Sequence, residues 1–172
     1  MSSIKINKSF ELIEVNNTKI QFMADMLSNK IYRDFIHLAD DTNNSVSHNL
    51  TEIRQLLASP TFYGIIAMCN HKQCGYLIGE VKRLNDGRVS LYLWYINVDA
   101  TQRRKNIGSK MMHKMIAKCK AVGITFIVLS CDQRDEKVMR FYEKYGFVKD
   151  PILNKHDGMN DVSDNIVMCL YL

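Results

Sequence analysis

A short basic segment in the second half of the chain has the residue types that bind phosphate. It runs from Arg103 to Ser109 and reads RRKNIGS, between an apolar run, Leu91 to Val98, and a helical pattern, Lys110 to Val122. A strand that ends in a basic turn, from which a helix starts, directs backbone N–H groups and cationic side chains toward one point. We therefore expect this turn to bind the phosphates of a cofactor.

The segment after the turn has the spacing of an amphipathic helix. Its apolar residues follow one stripe with a period of roughly 3.6 residues, and the lysines lie largely outside it. The stripe consists of Met111, Met112, Met115, Ile116, Cys119 and Val122. The N-terminus of such a helix presents unpaired N–H groups and about half a unit of positive charge. Two adjacent phosphates suit this position better than a carboxylate.

Positive charge is concentrated around the same turn. The chain has a formal net charge of +5, and Arg103 to Lys120 contains seven Lys and Arg residues and no Asp or Glu. Such a run either creates a positive electrostatic potential that attracts a polyanion or, more commonly, forms the solvent-exposed face of a helix. A nucleic-acid-binding domain is disfavoured, because the run lacks interleaved aromatic residues for base stacking and its apolar stripe has the pattern of a buried face.

Length and composition indicate one globular domain over residues 1–172, with 47% hydrophobic and 24% charged residues. The cysteines are odd in number and show no metal-binding spacing, so we expect neither a disulfide framework nor a zinc site. They are Cys69, Cys74, Cys119, Cys131 and Cys169. No apolar run is long enough to span a bilayer, and the N-terminus lacks the apolar core of a signal peptide. We expect a cytoplasmic protein, or a nuclear one by diffusion, that is not secreted and not in a membrane.

Strands and helices alternate around the turn. The predicted strands are Phe10 to Val15, Phe62 to Cys69, Gln73 to Leu84, Val89 to Val98, Phe126 to Cys131 and Ile166 to Tyr171. The predicted helices are Ile20 to Ala39, Leu50 to Leu57 before Pro60, Ser109 to Val122 and Asp135 to Tyr145. Three consecutive strands form an antiparallel meander, and the order as a whole predicts an α/β layer with a mixed sheet. The last strand is expected to be an exposed edge that could pair with a second copy as a homodimer.

Two segments together carry a family resemblance. Arg103 to Gly108 matches the pattern Q/R-x-x-G-x-G/A with one change, and Phe141 to Phe147 reads FYEKYGF. In this order, after the Gly75 to Gly79 strand, they resemble the GCN5-related N-acetyltransferases, the GNAT superfamily. The resemblance implies a single-domain acetyltransferase-like α/β fold with a mixed, mostly antiparallel central sheet and helices on both faces. Its splayed central strands would form a slot for the pantetheine arm of acetyl-CoA.

The resemblance also implies which residues bind the cofactor. Backbone groups of Ile96 and Val98 would hold the pantetheine amides, and the basic turn would hold the pyrophosphate, without a metal. The implied residues are Ile96, Val98, Arg103, Arg104, Lys105, Asn106, Ile107, Gly108, Ser109 and Asp135. Two of them depart from the family pattern. Asn106 replaces a Gly but tolerates left-handed backbone angles. Asp135 replaces an Asn; it can cap a helix, but its carboxylate is unfavourable beside an anionic cofactor.

Amine acetylation needs a neutral amine, an oriented thioester and a proton for the leaving thiolate. The resemblance makes Tyr142 the general acid, although its ring could instead only pack under the sheet. A base is harder to assign, because Leu91 to Ile96 contains no Glu or Asp, where many relatives have one. Glu80 on the neighbouring strand is the candidate base, acting through water, and a solvent-facing strand residue is an equal alternative.

The resulting expectation is an acetyl-CoA-dependent N-acetyltransferase that transfers acetyl directly to a primary amine of an unidentified small-molecule or protein acceptor. Asn106, Asp135 and the missing strand carboxylate leave an alternative, a catalytically weak or inactive GNAT-like module that binds an acyl-CoA or a protein. The basic nucleic-acid-binding domain ranks below both. The polar segments Asp40 to His48 and Lys149 to Asp164 are expected to line the acceptor site.

Overall fold

The computed structural model of the protein describes residues 9–15, 55, 57–84, 87–150 and 165–172. These residues form a seven-stranded sheet in the order β1-β2-β3-β4-β5-β7-β6, in which only β4 and β5 are parallel neighbours. The strands are β1 Phe10–Val15, β2 Phe62–Cys69, β3 Lys72–Arg83, β4 Val89–Val98, β5 Phe126–Asp132, β6 Val148–Lys149 and β7 Asn165–Tyr171. The mixed, mostly antiparallel α/β fold expected from the sequence is confirmed, including the β2-β3-β4 meander.

Two helices follow the meander. They are α1, Ile107–Ala121, and α2, Glu136–Glu143. Both pack on the same face of the sheet, α1 through methionines such as Met111 and α2 through Met139 and Tyr142. The predicted helix of residues 20–39 lies outside the described residues, and of the predicted helix of residues 50–57 only 55 and 57 are described, both helical. Within the described residues, no helix is long and apolar enough to cross a membrane.

The two faces of the sheet differ in what covers them. The helix face, which carries Leu93 and Leu129, packs against α1 and α2. The opposite face carries Tyr92, Val128 and Val167 in a second apolar cluster. Side chains alternate between these faces because successive residues of a strand point to opposite sides.

The central strands β4 and β5 diverge partway along their length. They pair at Leu91 with Ile127, Tyr92 with Val128 and Leu93 with Leu129, and the pairing ends there. At the same level the β3–β4 register shifts, from Gly79 opposite Leu93 to Ile78 opposite Tyr95, which leaves Trp94 as an extra residue in a bulge. A bulge bends its strand, so β4 leaves β5 at Trp94. The splayed strands implied by the family resemblance are present.

The β2–β3 hairpin corrects one expectation. Cys69 and Cys74 form a disulfide, with their Cα atoms 5.8 Å apart, whereas the sequence predicted no disulfide. Asn70 and His71 take left-handed angles, with φ of 51° and 61°, and form the two-residue turn of the hairpin. A register shift at Ala67 then leaves Cys74 as an extra residue on β3. Local turn geometry, which the count and spacing of cysteines do not reveal, therefore brings the two thiols together.

The last strand is not the edge of the sheet. β7 lies between β5 and β6, with Val148 opposite Cys169 and Lys149 opposite Met168. The backbone N–H of Asp150 also donates to the carbonyl of Val167 at 3.0 Å. The prediction of an exposed edge is therefore wrong over this stretch, because the short strand β6 was missed.

Candidate active site

A cavity of about 550 Å³ lies where β4 leaves β5, between the end of β4, the start of α1 and one side of α2. Its lining residues are Ile96, Asn97, Val98, Arg103, Arg104, Asn106, Ile107, Gly108, Ser109, Asp135, Lys137, Val138, Phe141 and Tyr142. Ten of the twelve site residues predicted from the sequence are in this set. Lys105 and Glu80 are the two that are not. The fold thus brings the end of β4 and the adjacent basic turn together with α2, which follows much later in the chain.

The turn before α1 leaves the start of that helix open to a ligand. Arg104 and Asn106 both have left-handed backbones, with φ of 63° and 59°. Such a conformation costs a residue other than Gly roughly 1–2 kcal/mol, less for Asn. Asn106 is the N-cap of α1 but makes no side-chain capping hydrogen bond. The first N–H groups of α1 therefore keep their donor capacity and point toward the cavity end of the helix.

Cationic side chains surround this helix end, and one of them is fixed in place. Nε of Arg103 donates to the carbonyl oxygen of Val98 at 3.1 Å, which ties the turn to the end of β4. Lys105 instead donates from Nζ to Oε1 of Gln102 at 2.7 Å and lies outside the cavity lining. The first turn of α1 has no acidic residue. Positive groups at a helix N-terminus suit an anion with several oxygens.

Gly108 leaves open space between the two helices. A Cβ atom at this position would lie 3.6 Å from Cζ of Phe141 and 3.7 Å from Cγ2 of Val98, which is ordinary contact. The packing alone thus tolerates a methyl group, and the glycine is not required by its backbone angles. Its missing side chain instead keeps the cavity open beside Phe141.

Asp135 caps the N-terminus of α2, as predicted for an aspartate at this position. Its Oδ1 accepts hydrogen bonds from the backbone N–H groups of Lys137 and Val138, both at 3.1 Å. The carboxylate is therefore engaged with the helix, and Lys137 is also part of the cavity lining. Sequence reasoning missed Lys137. Its position two residues after a capping Asp is the signal that places it at the helix start.

Tyr142 lies at the inner part of the cavity and is only 9% exposed. Its ring contacts Phe141 and Phe147, with centroids 5.4 and 5.6 Å away. Burial, and to a smaller extent the neighbouring Cys131 thiol, raise the pKa of Tyr142 above its ordinary value. The phenol therefore remains protonated at neutral pH and is able to donate a proton. It both packs in the core and lines the cavity, so the two sequence interpretations are compatible.

Glu80 lies on the opposite face of the sheet, next to the bulge. One carboxylate oxygen accepts from Oγ of Ser59 at 2.7 Å, and the other accepts from Nε1 of Trp94 at 3.4 Å. The side chain is half-buried rather than fully solvent-facing. It is thus held at the level where β4 and β5 separate, but on the side away from the cavity.

The basic face of α1 is partly neutralised within the fold. Lys114 and Lys118 lie 3.5 and 3.7 Å from the carboxylate of Glu14 on β1. Nζ of Lys110 lies 4.1 Å from the ring centroid of Phe10. Of the apolar stripe of the helix, Met111, Met112, Met115 and Cys119 are buried in the core, whereas Ile116 is half-buried and Val122 is exposed. These contacts weigh against a nucleic-acid-binding surface on this helix.

Two segments that were predicted to line the site are not among the residues that the structure describes. They are residues 40–48 and 151–164, expected to line the acceptor site. Among the residues that the structure does describe, no group of three or more His, Cys, Asp or Glu is arranged to hold a metal ion.

Comparisons with known proteins agree with this geometry. The chain is 24% identical over 162 residues to an uncharacterised N-acetyltransferase, ycf52, of Porphyra purpurea, covering 85% of this chain and 87% of that protein. The PaiA N-acetyltransferase of Thermoplasma acidophilum, solved with coenzyme A, has a TM-score of 0.65 at 12% identity, covering 95% and 99% of the two chains. The ribosomal-protein-S18-alanine N-acetyltransferase of Escherichia coli has a TM-score of 0.63 at 16% identity, covering 95% and 94%.

The model of the acetyltransferase (GNAT) family matches residues 29–147, which include β2 to β5 and both described helices. The match contains the basic turn, the divergence of β4 and β5 and the Tyr142 segment. The chain therefore belongs to the GNAT family of acetyltransferases.

Proposed function

We propose that the protein is an acetyl-CoA-dependent N-acetyltransferase that transfers acetyl directly to a primary amine. The observation that supports this most is the cavity itself. It joins an uncapped helix N-terminus flanked by Arg103 and Arg104 to the buried, protonated Tyr142 at the point where β4 and β5 diverge.

The residues present suit the parts of coenzyme A. The start of α1 and the arginines match a pyrophosphate, and the cleft beside Gly108 and Phe141 matches a narrow, mostly apolar arm. Beyond Leu93, β4 is no longer paired with β5, so backbone groups near Ile96 are suited to the amides of that arm. Two neighbours, the PaiA enzyme and an Arabidopsis thaliana Naa50, were solved with coenzyme A and with a coenzyme A bisubstrate analogue.

Bound acetyl-CoA supplies the acetyl thioester, and the chain supplies proton transfer and orientation. In the reaction, a C–N bond forms to the amine as the C–S bond breaks. Tyr142 holds a proton for the leaving sulfur, because burial keeps its hydroxyl protonated. Glu80 is the candidate to accept the proton that the amine loses, through water, since it is held at the divergence by Ser59 and Trp94.

The acceptor is a primary amine of a small molecule or of a protein. Structural neighbours include an enzyme for the alanine of ribosomal protein S18 and aminoglycoside acetyltransferases, so the fold serves both classes. Catalysis, as opposed to binding alone, is supported by the protonated phenol in the cavity.

Calorimetric titration with acetyl-CoA tests the cofactor part of the proposal. Arg104→Gly removes the guanidinium while keeping a residue that accepts the left-handed angle, so the turn is preserved. Losing one charge-assisted hydrogen bond costs about 1.5–3 kcal/mol, or roughly a 10- to 100-fold rise in Kd. Lys105→Ala, outside the cavity lining, is the matched control and should change Kd less than about threefold.

Two results decide between the candidates. Equal affinity of the wild type, Arg104→Gly and the double variant Arg104→Gly with Gly108→Val would show that the cavity does not bind the cofactor. Release of free thiol from acetyl-CoA, measured with L-lysine, glucosamine and a peptide with a free N-terminus, separates an enzyme from an inactive binding module.

A further inference from the structure

One buried hydroxyl at the divergence of β4 and β5 has no assigned role. Oγ of Ser130 is shielded from solvent and has no hydrogen-bond partner in the part of the chain that the structure describes. A buried polar group without a partner costs about 1–3 kcal/mol. Such groups are rare in folded proteins, and one next to an active site calls for a ligand or water as its partner.

Ser130 occupies a specific position on β5. The preceding residue, Leu129, is the last one paired with β4, opposite Leu93. Ser130 is therefore the first residue of β5 at which the neighbouring strand has moved away. On its other side it is paired with Val167 of β7 in regular register.

The side chain of Ser130 lies on the opposite face of the sheet, away from the cofactor cavity. Leu129 and Cys131 belong to the core cluster of the helix face. Val128 and Val167 belong to the cluster of the opposite face. Because side chains alternate along β5 and paired residues share a face, Ser130 shares the face of Val128 and Val167.

Three polar groups of the opposite face thus lie at or next to the level where the strands separate. The Trp94 indole follows Leu93 on β4 and donates to Glu80 on β3, and Ser130 follows Leu129 on β5. The surrounding residues of this face, including Tyr92 and Val128, form an apolar cluster. Tyr142 lies on the helix face of the same divergence, near Cys131.

We propose that Ser130 binds the acceptor amine, with its Oγ accepting a hydrogen bond from an N–H of a neutral primary amine that enters from the opposite face. This inference rests on the proposed function. An N–H directed at Ser130 leaves the nitrogen lone pair free to attack the acetyl carbon. The cofactor and Tyr142 occupy the helix face, so the attacking amine and the proton donor are on two sides of one opening.

The test compares Ser130→Ala with Ser90→Ala. Ser90 is a buried serine of β4 whose Oγ donates to the Lys82 carbonyl at 3.5 Å. It lies on the same face as Ser130, because it is paired with Lys82, and this pair is two residues along the strands from the pair of Glu80 and Tyr92. Each variant loses one hydroxyl. Initial rates of thiol release are measured with the amine of the panel that reacts fastest, at varied amine and varied acetyl-CoA.

We expect Ser130→Ala to lower kcat/KM for the amine about tenfold, the effect of one lost hydrogen bond, with the Kd for acetyl-CoA unchanged. Ser90→Ala should leave kcat/KM within about twofold. Ser130→Thr, which keeps the hydroxyl, should restore most of the lost kcat/KM. The melting temperature of Ser130→Ala should be no lower than that of the wild type, because its Oγ has no hydrogen-bond partner among the described residues.

The outcomes separate the inference from the proposed function. If Ser130→Ala leaves the wild-type activity unchanged, the role of Ser130 alone is overturned. The same holds if the variant loses only acetyl-CoA affinity or only thermal stability. A wild type that releases no thiol with any amine of the panel overturns the proposed function and the Ser130 assignment together.

Discussion

The two sides of the opening between β4 and β5 are built in different ways. On the helix face, the cavity is lined by three short segments of the chain, residues 96–98, 103–109 and 135–142. On the opposite face, Glu80, Trp94 and Ser130 come from three separate strands, one residue each. The first side depends on local backbone geometry and the second on how strands are aligned.

This difference decides what a mutation does on each side. The cofactor side is set by a left-handed turn at Arg104 and Asn106 and by two helix starts, features that a short sequence determines. The acceptor side is set by the bulge at Trp94 and by the end of β4–β5 pairing. Changes on the cofactor side should alter acetyl-CoA binding, and changes on the acceptor side should alter only the use of the amine.

Tyr142→Phe should give the largest effect. Although Tyr142 lines the cofactor cavity, this change should lower the rate and leave acetyl-CoA binding nearly unchanged. Removing a general acid lowers kcat by about 10²- to 10³-fold, while the Kd for acetyl-CoA should stay within about threefold because the ring remains. Burial raises the pKa of Tyr142, so the proton is retained as pH rises. The wild-type rate should therefore show no loss attributable to this group below about pH 10, its ordinary pKa.

Tyr145→Phe is the matched control for that experiment. The Tyr145 hydroxyl is buried without a partner among the described residues, and its ring contacts His113 and Phe141, with centroids 5.4 and 5.3 Å away. It does not line the cavity, so kcat should be unchanged. Similar losses in both variants would mean that the hydroxyls act through packing, and that the phenol is no proton donor.

The fold was largely predictable because its signals are local. The apolar runs of β2 and β4, whose middle residues are buried on both faces, and the apolar stripe of α1 are such signals. The bounds of β1, β2, β4 and α1 were predicted to within two residues. The two-residue strand β6 was missed because Val148 and Lys149 carry no periodic pattern. The Cys69–Cys74 disulfide was missed because it depends on a turn and a register shift, which residue spacing does not encode.

Breaking the disulfide tests whether the cofactor side is formed locally. The carbonyl of Cys74 accepts a hydrogen bond from the backbone N–H of Asp99 at 2.9 Å, which links the hairpin to the start of the basic turn. The double variant Cys69→Ser with Cys74→Ser should lower the free energy of unfolding by about 2 kcal/mol, the value for a short closed loop. Urea unfolding measures this change.

Acetyl-CoA affinity of the same variant gives the second half of that test. If the turn is formed by its own residues, the Kd should change less than about threefold. The wild type treated with a reductant should match the variant in both measurements. A loss of cofactor affinity as large as that of Arg104→Gly would mean that the cofactor side depends on the distant hairpin, and the contrast between the two sides would fail.

The next effect in size concerns the acceptor side. Glu80→Gln keeps the shape of the side chain, and the amide oxygen can still accept from Trp94 or Ser59. If the carboxylate accepts the amine proton through water, kcat/KM for the amine should fall about tenfold, with acetyl-CoA binding unchanged. Glu136→Gln is the control, because Glu136 is an exposed carboxylate paired with Arg140. If Glu80→Gln lowers kcat/KM for the amine no more than Glu136→Gln does, Glu80 is only a structural partner of Trp94 and not the base.

The candidate site was predicted more completely on the helix face than on the opposite face, where Glu80 was the one residue named. Residues of the basic turn and Tyr142 belong to contiguous motifs, and seven of them line the cavity, together with the predicted Ile96, Val98 and Asp135. Lys137 was not assigned to the cavity, because its place there depends on how α2 lies against α1. Ser130 had no signal at all, since its importance comes from where β4 stops pairing with β5, which no local pattern in the sequence shows.

The smallest expected effect is that of Asn106→Gly, which restores the residue that the family pattern has in the turn. Asn106 already holds a left-handed angle, with φ of 59°, and Asn tolerates that conformation better than other residues with a Cβ. Relief of this strain is offset by the greater backbone freedom of Gly when unfolded. The free energy of unfolding should therefore change by less than about 1 kcal/mol and the Kd for acetyl-CoA by less than about threefold. Asn106→Ala, without that tolerance, should be less stable than both. Cofactor binding tightened more than tenfold by glycine would show instead that Asn106 distorts the phosphate turn, and that even a locally formed site depends on this one backbone angle.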